Sequence, residues 1–427
     1  PGLPYKLDGY TTKGDAVAAP GVLTEIRKMW YAIERNEKVE LPDSCCYARA
    51  QICLRDTNTV QATWGTPLSV YMAEGGYFYP ILDHLKSMRH PFIAYGIEIG
   101  NGGMDFINKM VTHYPVNPIV ICDWSRFDKT IPAWLIRDAF NIVGEWIDYS
   151  QVIDSKGKMW PVRANLSKRK WRKLIDYFIN TPIRLSNGER FIKHGGVPSG
   201  SCVTNIIGGI INMIMRYCIY NTTGELPLAD VYLGEDSVLV LPFKINLKDL
   251  AELAFDEFSM VLNVNKSYQT YNRVNVQFQG YLNFSGEPFK SIDTILASSI
   301  YPERPVHSKL ETITRLIGQA FSCFDAHTAS NFFKAAQILT KEEDLSHSFI
   351  EEHIHRNPHH YMYLATLGIN PTTLSFPVLS KDNITYQTRP GPMRKQWKER
   401  MYNLQELYEA GIAHATLSLR SNGCVFS

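Results

Sequence analysis

The sequence has no run of apolar residues long enough to span a bilayer. A spanning helix needs about 20 of them, so no membrane partner is expected. No signal-peptide pattern opens it. The chain begins at Pro1 rather than Met, as expected of a fragment or a processed product. Its eight cysteines form no Cys-x-x-Cys pair, and only Cys45 and Cys46 are neighbours. That argues against a zinc ribbon and a disulfide-stapled mini-domain, and it fits free thiols in a reducing compartment. The formal net charge is only +2. Bulk charge therefore does not mark a nucleic-acid binder, and any basic channel must be local. Internal repeats, long low-complexity segments and obvious interdomain linkers are missing as well.

What the chain does have is bulk. Its 427 residues are 45% hydrophobic and 12% aromatic, enough for a large folded body of several subdomains sharing one architecture. The first hundred residues mix glycine, proline and aromatics, as in Trp64-Gly-Thr-Pro67 and Gly75-Gly-Tyr-Phe-Tyr-Pro80. They read as loops with short helices. Pro118-Ile-Val-Ile-Cys122 is a compact apolar run and reads as a buried strand. A helix is expected from Pro132 to Ile147, with proline in its first turn. The stretch from Thr181 to Arg190 carries Asn187-Gly188, a strong hairpin signal. Ile206 to Tyr220 reads as a buried helix, and Leu247 to Leu262 as another. Past Pro302 the pattern is mostly helical to about Leu367, then rich in turns, with a further helix around Trp397 to Ala413.

Acids stand at two separated places that look like strand ends. Asp123 and Asp128 lie in Ile121-Cys-Asp-Trp-Ser-Arg-Phe-Asp128, and Glu235 and Asp236 lie in Tyr232-Leu-Gly-Glu-Asp-Ser-Val238. The second pair sits between two apolar arms, so a hairpin would present it at its tip. Hard divalent cations prefer carboxylate oxygens, and two such ions roughly 3.5–4 Å apart serve an in-line phosphoryl displacement. Taken alone, Asp128 reads equally as a cap of the following helix. Between the acids runs His194-Gly-Gly-Val-Pro-Ser-Gly-Ser-Cys-Val-Thr-Asn205. Three glycines and a proline suit an irregular backbone, and by itself the stretch fits an ordinary glycine-rich loop. If a helix follows, Thr204, Gly208 and Asn212 share one face, a surface where a nucleotide sugar could lie. Lys168-Arg-Lys-Trp-Arg-Lys173 could bind RNA phosphates, with Trp171 as a stacking face; the plain alternative is a solvated helix face. His353, His355, His359 and His360 match the spacing of no common zinc site.

In this order the segments resemble motifs A, B and C of viral RNA-dependent RNA polymerases, in particular those of partitiviruses and related double-stranded RNA viruses. Pro1-Gly-Leu-Pro-Tyr5 resembles the tail of motif G, Arg55 to Pro80 the motif F region, and Asn263-Val-Asn-Lys-Ser267 motif D. Phe278-Gln-Gly-Tyr-Leu282 through Tyr301-Pro-Glu303 resembles motif E and the start of the thumb. The A–B–C triplet is specific, whereas motifs D and F alone would be weak signals.

The resemblance implies an α+β right-hand fold of fingers, palm and thumb, with an antiparallel palm sheet backed by helices. Fingers would take residues 1–117 and 148–193, palm 118–147 and 194–291, and thumb with the C-terminal segment 292–427. The activity implied is template-directed transfer of ribonucleotides from rNTPs to RNA, copying and transcribing a double-stranded RNA genome. Asp123, Glu235 and Asp236 would hold two Mg2+ (or Mn2+) ions, and Lys266 would protonate pyrophosphate. A solvated lysine is the plain alternative for Lys266. Asp128, Ser199, Gly200, Thr204, Asn212 and Arg55 would contact the nucleotide; Gly2, Pro4, Lys168, Arg169 and Trp171 would contact RNA. The partners implied are RNA template, nascent RNA, rNTPs and viral capsid protein, in the virion interior or host cytoplasm.

Two departures from the family pattern stand out. The hairpin tip usually carries Asp-Asp, and here the first acid is Glu235. Its extra methylene moves the carboxylate outward by roughly one bond, and a misplacement of about 1 Å can cost of order a hundredfold in rate. Gln61 stands where an arginine is usual, which leaves Arg55 or Arg49 to supply charge for phosphate. A reverse transcriptase shares the palm but usually has a bulky residue in the place of Asp128. A catalytically impaired or silent relic kept for RNA binding is the other rival, and Glu235 favours it. Primer extension separates these readings. Glu235→Asp is expected to raise Mg2+-dependent extension by up to about a hundredfold, and equal activity would show that the longer acid is no handicap.

Overall fold

The computed structural model describes residues 1–50, 52, 60–87, 93–303, 305–357, 361–374 and 390–391. The helix expected around Trp397 to Ala413 lies outside the described residues. From the N-terminus, helices Lys13–Ala18 and Val22–Glu34 precede a hairpin of β1 (Ser44–Ala50) and β2 (Val60–Gly65). Helices Leu68–Ser87 and Gly103–Thr112 lead to β3 (Ile119–Ile121). Helix Ala133–Glu145 follows, then a small ribbon of β4 (Gln151–Ile153) and β5 (Met159–Pro161). Helix Ala164–Ile179 runs into the hairpin of β6 (Pro182–Arg184) and β7 (Arg190–Ile192). After the glycine-rich loop come helices Thr204–Ile214 and Arg216–Thr223, then β8 (Ala229–Leu233) and β9 (Asp236–Val240). Helix Leu247–Phe258, β10 (Tyr268–Thr270), β11 (Gln277–Phe278), β12 (Tyr281–Phe284) and β13 (Glu287–Phe289) complete the strands. Past residue 291 every described element is helical, the longest being Ala326–Glu342.

The central sheet has the order β10-β3-β9-β8 and is antiparallel throughout. Both of its faces are covered, which is why Pro118-Ile-Val-Ile-Cys122 is continuously apolar rather than alternating. One face carries Ile119, Val231, Val238 and Val240 into a core shared with helices Gly103–Thr112, Lys309–Ser322 and Ala326–Glu342. The other carries Val120, Cys122, Tyr232 and Leu239 against helices Ala133–Glu145 and Thr204–Ile214. A second sheet, β2-β1-β6-β7, joins β1 to β6 in parallel and so draws the β1–β2 pair and the β6–β7 pair together. The fold is thus α+β, with the named strands paired antiparallel except β1 with β6.

Several expected elements change in detail. The hairpin at Asn187-Gly188 forms as β6 and β7, with Gly188 at φ 91°. The helix expected from Ile206 to Tyr220 starts at Thr204 and is interrupted at Met215. The helix expected to reach Leu262 stops at Phe258, because Ser259 takes a left-handed conformation. The largest miss is Leu68–Ser87, a 20-residue helix where loops with short helices were expected, running through Gly75, Gly76 and Pro80. Its buried positions Glu74, Phe78, Ile81 and Leu85 recur at helical spacing. Packing of that stripe overrides the breakers. Gly75 belongs to the packing, since a Cβ there would lie 2.8 Å from the Tyr79 ring.

Within the basic run 168–173, Trp171 is buried and Arg169 and Lys170 are partly buried, while Lys168 and Arg172 are exposed. Trp171 is 5% exposed. Its ring stacks on Phe78 at 5.5 Å and meets Tyr77 and Phe140 at 5.1 and 5.6 Å. Arg169 donates to the Glu34 carbonyl at 2.9 Å, capping the end of helix Val22–Glu34. Lys168 lies 5.5 Å from the Tyr149 ring, and Lys170 sits over both Trp30 and Tyr77. The RNA roles expected for Arg169 and Trp171 are therefore corrected: the sequence run looks solvated, but its helix is clamped between aromatic residues. Trp171→Ala is expected to cost about 3–5 kcal/mol in urea unfolding. Unchanged stability with lost RNA binding would restore the stacking role.

Candidate active site

Strand register brings the acids together before any side chain is considered. β3 and β9 pair Ile119 with Val240 through Ile121 with Val238. Carried on by two residues, the same register sets Asp123 opposite Asp236. Strand alternation keeps both on the face that carries Ile119 and Val240. β8 and β9 are joined by a two-residue turn, since Leu233 pairs with Asp236. Gly234 takes φ 58° and Glu235 needs no positive φ, the pattern of a type II′ turn with glycine first. Asp236 is therefore the first residue of β9, and Glu235 stands at the apex. On the other side, Arg126 takes φ 54°. That turn precedes the short helix Phe127–Thr130, which carries Asp128.

Four carboxylates thus face one another. Burial pushes Glu235 up to about 7, and Asp128, Asp236 and Asp123 add repulsion in that order. The residue is exposed on its outer side, while three acids crowd its carboxyl group. Asp236 is pushed up to about 6, first by burial and then by Asp123. Burial also raises Asp128, against the opposing effect of the Ser199 hydroxyl. Among the described residues, Lys266 is the cation that favours the charged form of Glu235. It is placed there by the turn 263–267: Asn263 N–H donates to the Asp123 carbonyl at 2.8 Å, and Ser267 Oγ accepts from Asp123 N–H at 2.9 Å. Among the described residues, no three His, Cys, Asp or Glu side chains already close into a metal cage.

The glycine-rich loop is sewn onto these acids. Val197 N–H donates to the Asp128 carbonyl at 2.6 Å, and Gly196 N–H to the Ile131 carbonyl at 2.8 Å. Ser199 Oγ donates to Asp128 Oδ2 at 3.3 Å. Gly196 takes φ 69°, and a Cβ there would stand 2.7 Å from the Asp128 carbonyl. Gly200 lies directly on the backbone of β2: a Cβ would be 1.6 Å from the Trp64 carbonyl oxygen. A cavity of about 210 Å³ opens beside the loop, lined among others by Trp64, Asp128, Lys129, Lys193 and Ser199.

The remaining expected site residues divide. Thr204 Oγ1 donates back to the Pro198 carbonyl at 2.6 Å, closing the loop onto the helix. Asn212 is 3% exposed and does not lie on a nucleotide surface. Its amide is taken up by the hairpin tip, which corrects the expected nucleotide contact. Gly2 is buried at φ 77° against Thr66 and Pro67, and Pro4 is exposed next to it. Arg55 lies outside the described residues. Two residues escaped the sequence reading. Lys193 donates to the Gly195 and Gly196 carbonyls at 3.1 and 2.7 Å, and also to the carbonyls of Phe178 and Ile179. Burial pushes this ammonium down to about 7, while four accepting carbonyls favour its charged form. No sequence pattern singles it out. Glu74, 4% exposed, accepts from Cys202 N–H at 3.3 Å, and burial pushes it up to about 7. Its signal was available, as an acid on the buried stripe of Phe78 and Ile81.

Gly200→Ala is expected to displace the loop or β2, with a stability loss of about 1–3 kcal/mol in urea unfolding. An unchanged midpoint would mean that the close approach to Trp64 is relaxed in solution.

Comparison with known proteins follows the same lines. The family profile described as viral RNA-dependent RNA polymerase matches residues 1–274. The RNA-directed RNA polymerase of Atkinsonella hypoxylon virus (isolate 2H) is 26% identical over 325 residues, covering 66% of this chain and 48% of that protein. The RNA-directed RNA polymerase of Cryptosporidium parvum virus 1 (strain KSU-1) is 27% identical over 354 residues, covering 76% of this chain and 62% of that protein. The chain therefore spans about half to three-fifths of the length of these relatives. Among solved structures, an insertion-loop deletion mutant of a human picobirnavirus RNA-dependent RNA polymerase shares the fold. Its TM-score is 0.59 at 14% identity, over 78% of this chain and 64% of that one. The undeleted picobirnavirus enzyme aligns with a TM-score of 0.54 at 14% identity, over 69% and 56%. With well over half of its length matched by the family profile, this chain belongs to the viral RNA-dependent RNA polymerases.

Proposed function

We propose that this chain is the catalytic body of a polymerase that transfers ribonucleotides from rNTPs to RNA on an RNA template, copying and transcribing a double-stranded RNA viral genome. The observation that carries the reading is the meeting of Asp123, Asp128, Glu235 and Asp236 at the end of one antiparallel sheet, beside a glycine-rich loop. On this reading residues 118–147 and 194–291 are the palm, 1–117 and 148–193 the fingers, and 292–427 the thumb with the C-terminal segment. The sheet uniting β1 and β2 with β6 and β7 supports the grouping of the fingers. RNA and rNTPs are its partners, with capsid protein as a neighbour in the virion interior or host cytoplasm. No helix among the described residues is long and apolar enough to cross a membrane.

The donor set suits Mg2+ or Mn2+. Among the described residues, Lys266 beside Glu235 and Lys129 beside Asp128 offset only part of the charge of four crowded carboxylates. Mg2+ takes one or two carboxylates and completes its shell with water and phosphate. Asp123, Glu235 and Asp236 would hold two such ions. When bound, they lower the pKa of the attacking hydroxyl and offset charge on the triphosphate. The chain's own residues do the rest. As the 3′-hydroxyl loses its proton to solvent and its oxygen bonds to the α-phosphorus, the bond to pyrophosphate breaks, and Lys266 would give the leaving pyrophosphate a proton. Asp128, steadied by Ser199 and by the loop backbone, accepts a hydrogen bond from the ribose 2′-hydroxyl. Lys168 and Pro4 remain candidates for RNA contact at the rim.

A short RNA template supplied with rNTPs or dNTPs tests the reading. Extension is expected with rNTPs, falling by about a thousandfold in Asp123→Ala. Asp128→Ala is expected to lower the preference for rNTPs by about 10- to 100-fold, the loss of one hydrogen bond to a charged acceptor. Binding of RNA without extension, in Mg2+ and in Mn2+, would favour the silent RNA-binding relic instead.

A further inference from the structure

Asn212 occupies the inner face of helix Thr204–Ile214, where it touches both acid-bearing elements at once. Its Nδ2 donates to the Glu235 carbonyl at 2.9 Å and to the Gly234 carbonyl at 3.2 Å, with the Asp236 carbonyl at 3.4 Å. Its Oδ1 accepts from Trp124 Nε1 at 3.2 Å. Trp124 follows Asp123 directly, so one carboxamide links the chain beside Asp123 to the apex that carries Glu235 and Asp236. In a two-residue turn the apex carbonyls have no partner in the strand ladder. Asn212 supplies donors for them in a place water scarcely reaches.

The helix approaches closely enough for so short a side chain to reach. A Cβ on Gly208 would lie 3.4 Å from Gly234 Cα, and one on Gly209 would lie 3.6 Å from Gly234 N. Those two glycines let the helix lie against the turn, and Asn212 follows one turn later on the face of Gly208. The acids themselves repel one another. Something other than their own attraction must therefore fix their separation when no cation is present.

We propose that Asn212 is a positioning residue for the divalent-cation site: it holds the Gly234-Glu235 apex against Trp124 and so sets the spacing of Asp236 and Glu235 from Asp123. The inference rests on the reading of those acids as cation-holding groups. Groups that orient ligands in this way typically contribute 10- to 100-fold to metal affinity or activity.

The test titrates Mn2+ against the purified full chain, without RNA or nucleotide, following the electron paramagnetic resonance signal of the free ion. Wild type, Asn212→Leu and Trp124→Phe are compared, with circular dichroism and thermal unfolding to establish that each is folded. Asn212→Leu keeps the branched shape, at a larger volume, and removes every side-chain hydrogen bond. It is expected to weaken Mn2+ binding by about 10- to 100-fold. Trp124→Phe removes one bond and is expected to weaken binding less, in the same direction. In extension assays the half-saturating Mg2+ concentration should rise with the Mn2+ dissociation constant while KM for template stays unchanged, a split that simple loss of folded protein would not produce. A folded Asn212→Leu that binds Mn2+ as wild type does overturns the inference, as does a wild type that binds none. If Asn212→Leu does not fold, unchanged Mn2+ binding in Trp124→Phe overturns it. The polymerase reading fails separately, when wild type binds Mn2+ but extends no RNA.

Discussion

The antiparallel pairing of β3 with β9 is the constraint on which the rest depends. Its register runs from Ile119 with Val240 to Ile121 with Val238, and so directs the chain just past β3, with Asp123, toward Asp236 at the start of β9. The two are separated by more than a hundred residues of chain, and nothing local could align them. A slip of one residue would turn one of the acids to the opposite face of the sheet. The register is protected because both faces of this sheet are buried, with Val238 and Val240 on one side and Leu239 on the other. Hydrophobic burial thus determines the position of groups that are themselves unfavourable together.

That unfavourable meeting is stabilised from outside. The turn 263–267 binds the backbone of Asp123 through Asn263 and Ser267. The glycine-rich loop binds the backbone and carboxylate of Asp128. Asn212 binds the hairpin apex. Most of these contacts use backbone carbonyls or amides, and of the three braces only the loop, through the Ser199 hydroxyl, engages an acid side chain. Buried polar groups behind them keep the loop in place: Glu74 under Cys202, and Lys193 under Gly195 and Gly196. Such groups are costly to bury, and the hydrogen bonds they make in these places offset that cost.

Glycine has a specific role at two points. At Gly200 a side chain would run into the Trp64 carbonyl, so the loop lies directly on the backbone of β2. At Gly234 the positive φ permits a two-residue turn, which leaves Glu235 at the apex rather than within a longer loop. The apex position softens the departure at Glu235. A longer side chain at a turn has room to adjust that it would not have inside a strand.

The order of acids, glycine-rich loop and acidic hairpin was legible in the sequence because strand ends, glycine clusters and two-residue turns are local signals. So were the hairpin at Asn187-Gly188 and the helical stretch after Pro302. The helix Leu68–Ser87 was not, since glycines and a proline mask a buried stripe that only packing rewards. The roles of Trp171, Arg169 and Asn212 were not legible either, because an aromatic in a basic run and an amide on a helix look the same whether they face solvent or core. The one-dimensional chain determined which chemical groups exist and which turns present them. Tertiary structure alone decided which groups meet, because that depends on strand register and helix packing across a hundred residues or more.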